Sequence, residues 1–255
     1  MGMKIRYYFD LIVVLTQKEI KVRYKNSFLG YFWSVAHPLA FAYVFFLAFQ
    51  VVMRIDIENY TLFLIGGLFP WQWFSNSVNT SSTIFIQNAS IIKKVNFPNN
   101  SLIVANVLQD AIHFFLSIPV IVFFLFLYDQ SASWRWIYGI PVLFSVQFLL
   151  IYGICLAVSS INLFIRDLER LVGIVTTLLF YFTPIIYPET MMPDQYKYLL
   201  SLNPVAPLMI SWRNLFLKGV LNQSYLVDSF IYASAAFLIG WAIYRMLASR
   251  FAEVL

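Results

Sequence analysis

Residues 22–39 read VRYKNSFLGYFWSVAHPL, and the membrane character of the chain is legible from them alone. The basic residues Lys21, Arg23 and Lys25 stop at Asn26, and Tyr31, Phe32 and Trp33 open an apolar run reaching Met53. Clustered cations, then aromatics, then about twenty apolar residues mark a chain entering a bilayer from its cytoplasmic side. Upstream, Ile5, Phe9, Ile12, Thr16, Ile20 and Tyr24 recur at spacings of three and four, while Lys4, Asp10, Lys18, Lys21 and Lys25 fall on the other face. That pattern predicts an amphipathic helix over residues 4–25, lying in the membrane interface or docked on a partner or on another part of the chain. Residues 1–30 therefore read as an interface segment and 31–255 as a transmembrane domain. No small-residue cleavage site follows Leu11–Leu15, so the N-terminus does not read as a secretory signal.

Composition agrees. Apolar residues make up 61% of the 255 and charged residues 11%, against about 45–50% and 25% in soluble domains. The net charge of +5 is thinly spread and is no nucleic-acid signature. The lone cysteine, Cys155, excludes an internal disulfide and reads as a small buried residue.

The apolar runs predict an all-α polytopic fold of six transmembrane helices, at about 31–53, 62–85, 103–128, 136–161, 171–187 and 226–247. Residues 188–219 are interrupted by Pro204, Pro207, Arg213 and Asn214, and predict short re-entrant helices before the last span. A short helix is also expected before Pro98. With both termini inside, twelve Lys and Arg lie on the cytoplasmic side and five outside, the bias that the positive-inside rule requires. Gly153, Ala157 and Ser160 on the fourth span, and Ala236 and Gly240 on the sixth, are small enough for close helix approach.

Two spans carry unusual polarity. The second ends in Ser75-Asn76-Ser77-Val78-Asn79-Thr80-Ser81-Ser82-Thr83. Lipid offers these groups no partners, so they face a water-filled path or other helices. The third places Asn106, Gln109, Asp110, His113 and Ser117 along one face. Asp110 costs about 3 kcal/mol at mid-membrane, which the surrounding apolar residues at about 0.3–0.6 kcal/mol each outweigh. The stripe must still turn from lipid, as structural glue, as a path lining or as a proton relay.

No GxxxxGK[ST], HExxH or CxxC occurs, and the two histidines, His37 and His113, lie on different spans. The sequence thus predicts neither a catalytic residue nor a metal site nor a cofactor in this chain. Aromatics near the span ends (Tyr31, Trp33, Trp71, Trp73, Tyr181 and Tyr187) belong to an interface belt or line a path on which sugar rings can pack.

The motifs come in a recognisable order: RYKNSFLGYFWSVAHPL, the polar-ended second span, KKVNFP, FIRDLERL, YFTPIIYP and NPVAPLMISWRNLFL. Together they resemble the membrane subunit of bacterial polysaccharide exporters of the ATP-binding-cassette superfamily, the O-antigen and teichoic-acid permeases. The resemblance covers nearly the whole chain. It implies a homodimer in the inner membrane with both termini cytoplasmic. It implies two ATPase subunits beneath, which would bind ATP and Mg, and a glycan substrate on a polyprenyl-diphosphate carrier. It also implies ATPase contact around Asn88–Val95 and on the N-terminal helix. Coupling would run through Ser90, Ile91, Ile92, Lys93 and Lys94 and through Arg166, Asp167 and Arg170. Tyr31, Trp33, Asn76, Asn79, Asp110, His113, Tyr181 and Tyr187 are candidates for the channel. Lys21, Arg23 and Lys25 are candidates for the carrier diphosphate or for ordinary positive-inside anchoring. The alternatives are an exporter of the same architecture for a lipid or drug, a proton-coupled carrier using Asp110 and His113, or a membrane glycosyltransferase.

Overall fold

A computed structural model describes residues 2–23, 30–54, 57–196 and 198–254. Among them the chain is helical throughout, with no strand. The helices in order are α1 (Gly2–Arg23), α2 (Trp33–Phe45), α3 (Tyr60–Ser81), α4 (Ile84–Gln87), α5 (Ala89–Lys94) and α6 (Asn100–Leu127). Then follow α7 (Trp136–Asn162), α8 (Leu168–Phe182), α9 (Tyr198–Leu202), α10 (Ala206–Lys218), α11 (Gln223–Leu247) and α12 (Phe251–Val254). Three helical stretches, Asn100–Leu127, Trp136–Asn162 and Gln223–Arg250, are long and apolar enough to cross a bilayer, and Leu39–Val52 is a shorter apolar helix.

The central helix is α3, which packs against α2, α6, α7, α8 and α10. Its first fifteen residues are almost wholly buried, including Tyr60, Leu64, Ile65, Trp73 and Phe74. Trp73 therefore belongs to the core, stacked on Phe114 and Phe144, and not to a membrane-surface belt. Where the sequence reads one helix from 62 to 85, α3 ends at Ser81 and a short turn leads into α4. The hydroxyls of Thr80, Ser81 and Ser82 bond back to carbonyls three or four residues earlier, which competes with regular winding. The expected helix before Pro98 is present as α5.

The first apolar run is α-helical only to Phe45. From Phe46 to Val52 it winds as a π-helix, closing with Met53 N–H donating to the Ala48 carbonyl at 3.0 Å. Nothing in its side-chain pattern announces this.

The tightest packing joins α7 to α11. A Cβ on Gly240 would collide with the backbone of Gly153, and one on Gly153 would strike Ala236 and Phe237. The small-residue pairs read from sequence thus meet each other, so two long apolar helices touch backbone to backbone.

Among the described residues of 188–219, short 3-10 turns at Glu189–Met191 and Asp194–Tyr196 precede two α-helices, α9 and α10. The second is buried along nearly its whole length, with Trp212 and Leu215 fully enclosed. Gly219 terminates it in the left-handed region at φ 61°, where its N–H bonds Leu215 and Val220 N–H returns to Asn214. Arg135 donates to the Gly219 carbonyl at 3.2 Å. The internal cation Arg213 donates to the Pro184 carbonyl at 2.6 Å, pairs with Glu189 at 3.3 Å and lies over the Phe63 ring. Burial pulls its guanidinium down to about 10 while Glu189 opposes the shift, so it remains charged at neutral pH.

Candidate functional site: a polar groove between three helices

An open groove of about 470 Å³ runs between α2, α3 and α8. Phe41 and Phe45 come from α2, Trp71, Gln72, Ser75, Asn76 and Asn79 from α3, and Thr176, Thr177, Phe180 and Tyr181 from α8. Spacings of three and four put Gln72, Ser75, Asn76 and Asn79 on one face of α3, so the polar half of that helix splits its duties. One side bonds to neighbouring helices and the other lines the groove.

The bonding side explains the stripe on α6. Ser77 Oγ donates to Asp110 at 3.0 Å, Thr80 Oγ1 donates to Asn106 at 2.9 Å, and Asn106 Nδ2 donates to the Ser77 carbonyl at 3.1 Å. Trp73 Nε1 donates to the Val107 carbonyl at 3.1 Å. Asp110 is only 2% exposed, inside this contact and off the groove. His113, one turn on, is half-buried.

The groove side is different. Asn79 and Thr176 bond each other across α3 and α8 at 3.2 Å. Asn76 is exposed and Tyr181 is 56% exposed, so both present their side chains to the opening. Trp33 is 53% exposed, while Tyr187 is half-buried and donates to the Tyr181 carbonyl at 3.1 Å. The side chains of Arg23, Tyr31 and His37, and all of Lys25, lie outside the described residues; Lys21 is exposed. A second opening, about 530 Å³, is lined by Arg170, Gly173, Ile174, Thr177 and Leu178, and shares Gly173 and Thr177 with the groove.

One end of the molecule gathers both segments expected to carry the coupling. Ser90, Lys93, Lys94, Arg166, Asp167 and Arg170 are exposed there, with Ile91 and Ile92 half-buried. Two buried asparagines that the sequence pattern does not single out organise this end. Asn162 Nδ2 donates to the Ser82 carbonyl at 2.8 Å and its Oδ1 accepts from Glu169 N–H at 2.9 Å. Asn88 accepts from Lys18 of α1 at 2.6 Å. Phe251 of α12 packs on Phe85 with centroids 4.9 Å apart, bringing the C-terminal helix to the same place. An isolated Asn in a charged loop gives no periodic signal, so only the fold reveals these links. Among the described residues no cluster of His, Cys, Asp and Glu is arranged to hold a metal.

Residues 10–217 match the model of the ABC-2 type transporter family. The chain belongs to that family. It is therefore the membrane component of an ATP-binding-cassette system and an integral membrane protein. It is 47% identical over 249 residues to the O-antigen export system permease protein RfbA of Klebsiella pneumoniae, covering 98% of this chain and 96% of that one. It is 32% identical over 245 residues to the RfbA protein of the same description from Myxococcus xanthus, covering 95% and 93%. The polysialic acid transport protein KpsM of Escherichia coli is 20% identical over 237 residues, covering 92% of each chain. As an ABC-2 chain it is a transport component, in keeping with a sequence that carries no hydrolase motif.

Proposed function

We propose that the chain is the channel-forming subunit of an ATP-driven exporter that moves O-antigen-like polysaccharide, linked to a polyprenyl diphosphate, across the inner membrane. Two copies pair, two ATPase subunits bind beneath them, and both termini are cytoplasmic. The six crossings are α2 with its π-helical end, α3, α6, α7, α8 and α11, while α9 and α10 enter and leave on the outer side. The observation that carries this reading is the groove between α2, α3 and α8. It combines exposed aromatic edges with amide and hydroxyl groups in a chain otherwise built for lipid. Sugars present both an apolar ring face and many hydroxyls, and this lining suits both. The apolar outer face of α8, with Leu171, Ile174, Val175 and Leu178 exposed, suits the second copy. The match to RfbA proteins over nearly full length supports O-antigen over a drug or small lipid.

In this mechanism ATP binding draws the ATPases together, and α5 with the Arg166–Arg170 loop passes the motion to the spans. Lys21, Arg23 and Lys25, by their place in the sequence just before the first crossing, attract the carrier diphosphate at headgroup depth. The experiment is a Lys93→Glu, Lys94→Glu double variant purified with its ATPase. Export of labelled lipid-linked glycan falls about tenfold or more while the complex still forms, as expected when a coupling contact is reversed in charge. Normal export by that variant removes α5 from the mechanism, and a chain that never co-purifies with an ATPase is not such an exporter.

A further inference from the structure

The groove has one wall that is fastened differently from the others. Helix α8 buries only Val172 and Thr176 among its fifteen residues, whereas α3 beside it is buried over most of its length. Polar bonds hold α8 in place at three levels. At its base Glu169 N–H donates to Asn162; at mid-height Thr176 meets Asn79; just past its top Asn203 Nδ2 donates to Thr183 Oγ1 at 2.9 Å. The two upper fastenings join polar side chains, and such bonds inside a membrane protein are individually weak and find alternative partners at little cost. A helix secured this way can shift without opening a void in a close-packed core.

Asn162 is the base fastening, and it is fully buried. Both ends of its amide are used at once. Nδ2 holds the Ser82 carbonyl, where α3 ends and the α4–α5 segment begins, and Oδ1 holds the second residue of α8. An amide engaged at both ends cannot rotate to release one partner while keeping the other. A displacement of the α4–α5 segment is therefore delivered to the foot of α8.

We infer that Asn162 is a positioning residue that transmits movement of the α4–α5 segment to α8 and so sets the width of the groove. The inference rests on the reading of α5 as the ATPase contact. It adds that the stroke reaches the groove through one buried amide and not through the apolar core. Asn162 touches neither ATPase nor glycan; it acts through Ser82 and Glu169.

The test uses the chain with its ATPase partner in vesicles. Phe182→Cys, exposed at the end of α8 and off both the groove and the face given to the second copy, carries an environment-sensitive maleimide dye. The native Cys155 is fully buried and takes no label. Addition of ATP changes the dye signal in the parent. In Asn162→Leu that ATP-dependent change shrinks about tenfold, and glycan exported per ATP hydrolysed falls with it, while ATP hydrolysis stays within about twofold. Asn162→Asp, which keeps the acceptor for Glu169 N–H and loses the donor to Ser82, gives the same loss of signal and serves if the leucine variant does not fold. An unchanged ATP-dependent signal in either folded variant overturns the inference and leaves the coupling role of α5 standing. If the parent itself shows no ATP-dependent change at Phe182→Cys, α8 does not move and the inference falls; whether α5 couples is then decided separately by the lysine variants.

Discussion

The indole Nε1 of Trp212 donates to Oε1 of Gln147 at 2.5 Å, and neither side chain is exposed to solvent. Gln147 also donates its amide N–H to the Pro70 carbonyl at 2.8 Å, so one glutamine on α7 joins α10 to α3. Gln147→Leu keeps the volume and strands a buried donor and a buried acceptor. The expected cost is about 1–3 kcal/mol. A lowered unfolding midpoint of the detergent-solubilised protein is the measurement; an unchanged midpoint would mean that water or another side chain already serves these groups.

Asp110 decides between glue and proton relay. Because it accepts from Ser77 Oγ inside the α3–α6 contact, an uncharged acceptor of the same shape keeps that bond. Asp110→Asn is expected to keep export within about threefold, since bonds between helices inside a membrane are individually modest. Abolished export with ATP hydrolysis and assembly intact would favour a proton-coupled carrier instead.

Ser160 is the one buried side-chain oxygen or nitrogen among the described residues that has no hydrogen-bond partner. An unpaired hydroxyl in an apolar setting carries its desolvation cost without return. Ser160→Ala should therefore stabilise the protein, by about 1 kcal/mol. Thermal unfolding in detergent reads this directly, and a destabilised alanine variant would show that the hydroxyl has a partner in the assembled exporter.

Gly240→Leu forces a side chain into the backbone of Gly153 and pushes α11 off α7. Overpacking of this kind costs about 1–3 kcal/mol even where neighbours can shift, and backbone cannot. The expected result is loss of protease-resistant protein from the membrane fraction. Wild-type yield and resistance would show that the two helices separate at little cost.

Much of this architecture is legible in the amino-acid sequence, and for identifiable reasons. The α6 stripe can be read because Asn106, Asp110 and Ser117 repeat with helical spacing in an apolar run, and polar residues there must face protein. The Gly153 and Gly240 contacts can be read because small residues have few other uses inside a span. Trp73 misleads, since its position in an aromatic cluster suits the interface belt, yet its indole bonds Val107 within the core. Asn162 and Asn88 are invisible because each acts alone, through contacts about eighty and seventy residues away in sequence. The groove is half legible. Asn76, Asn79 and Tyr181 are singled out by type, but their convergence with Phe41, Phe45 and Gln72 depends on how α2 and α8 flank α3.

The backbone contact between Gly153 and Gly240 also constrains how lineages of this chain can diverge. Any first substitution at one position meets the main chain of the other helix, which no compensating side-chain change can move. The two sites can drift only where α11 has first been displaced by changes elsewhere. Descendants that keep this helix pair in register are thus expected to keep both glycines, while the lipid-facing residues around them are free to exchange one apolar side chain for another.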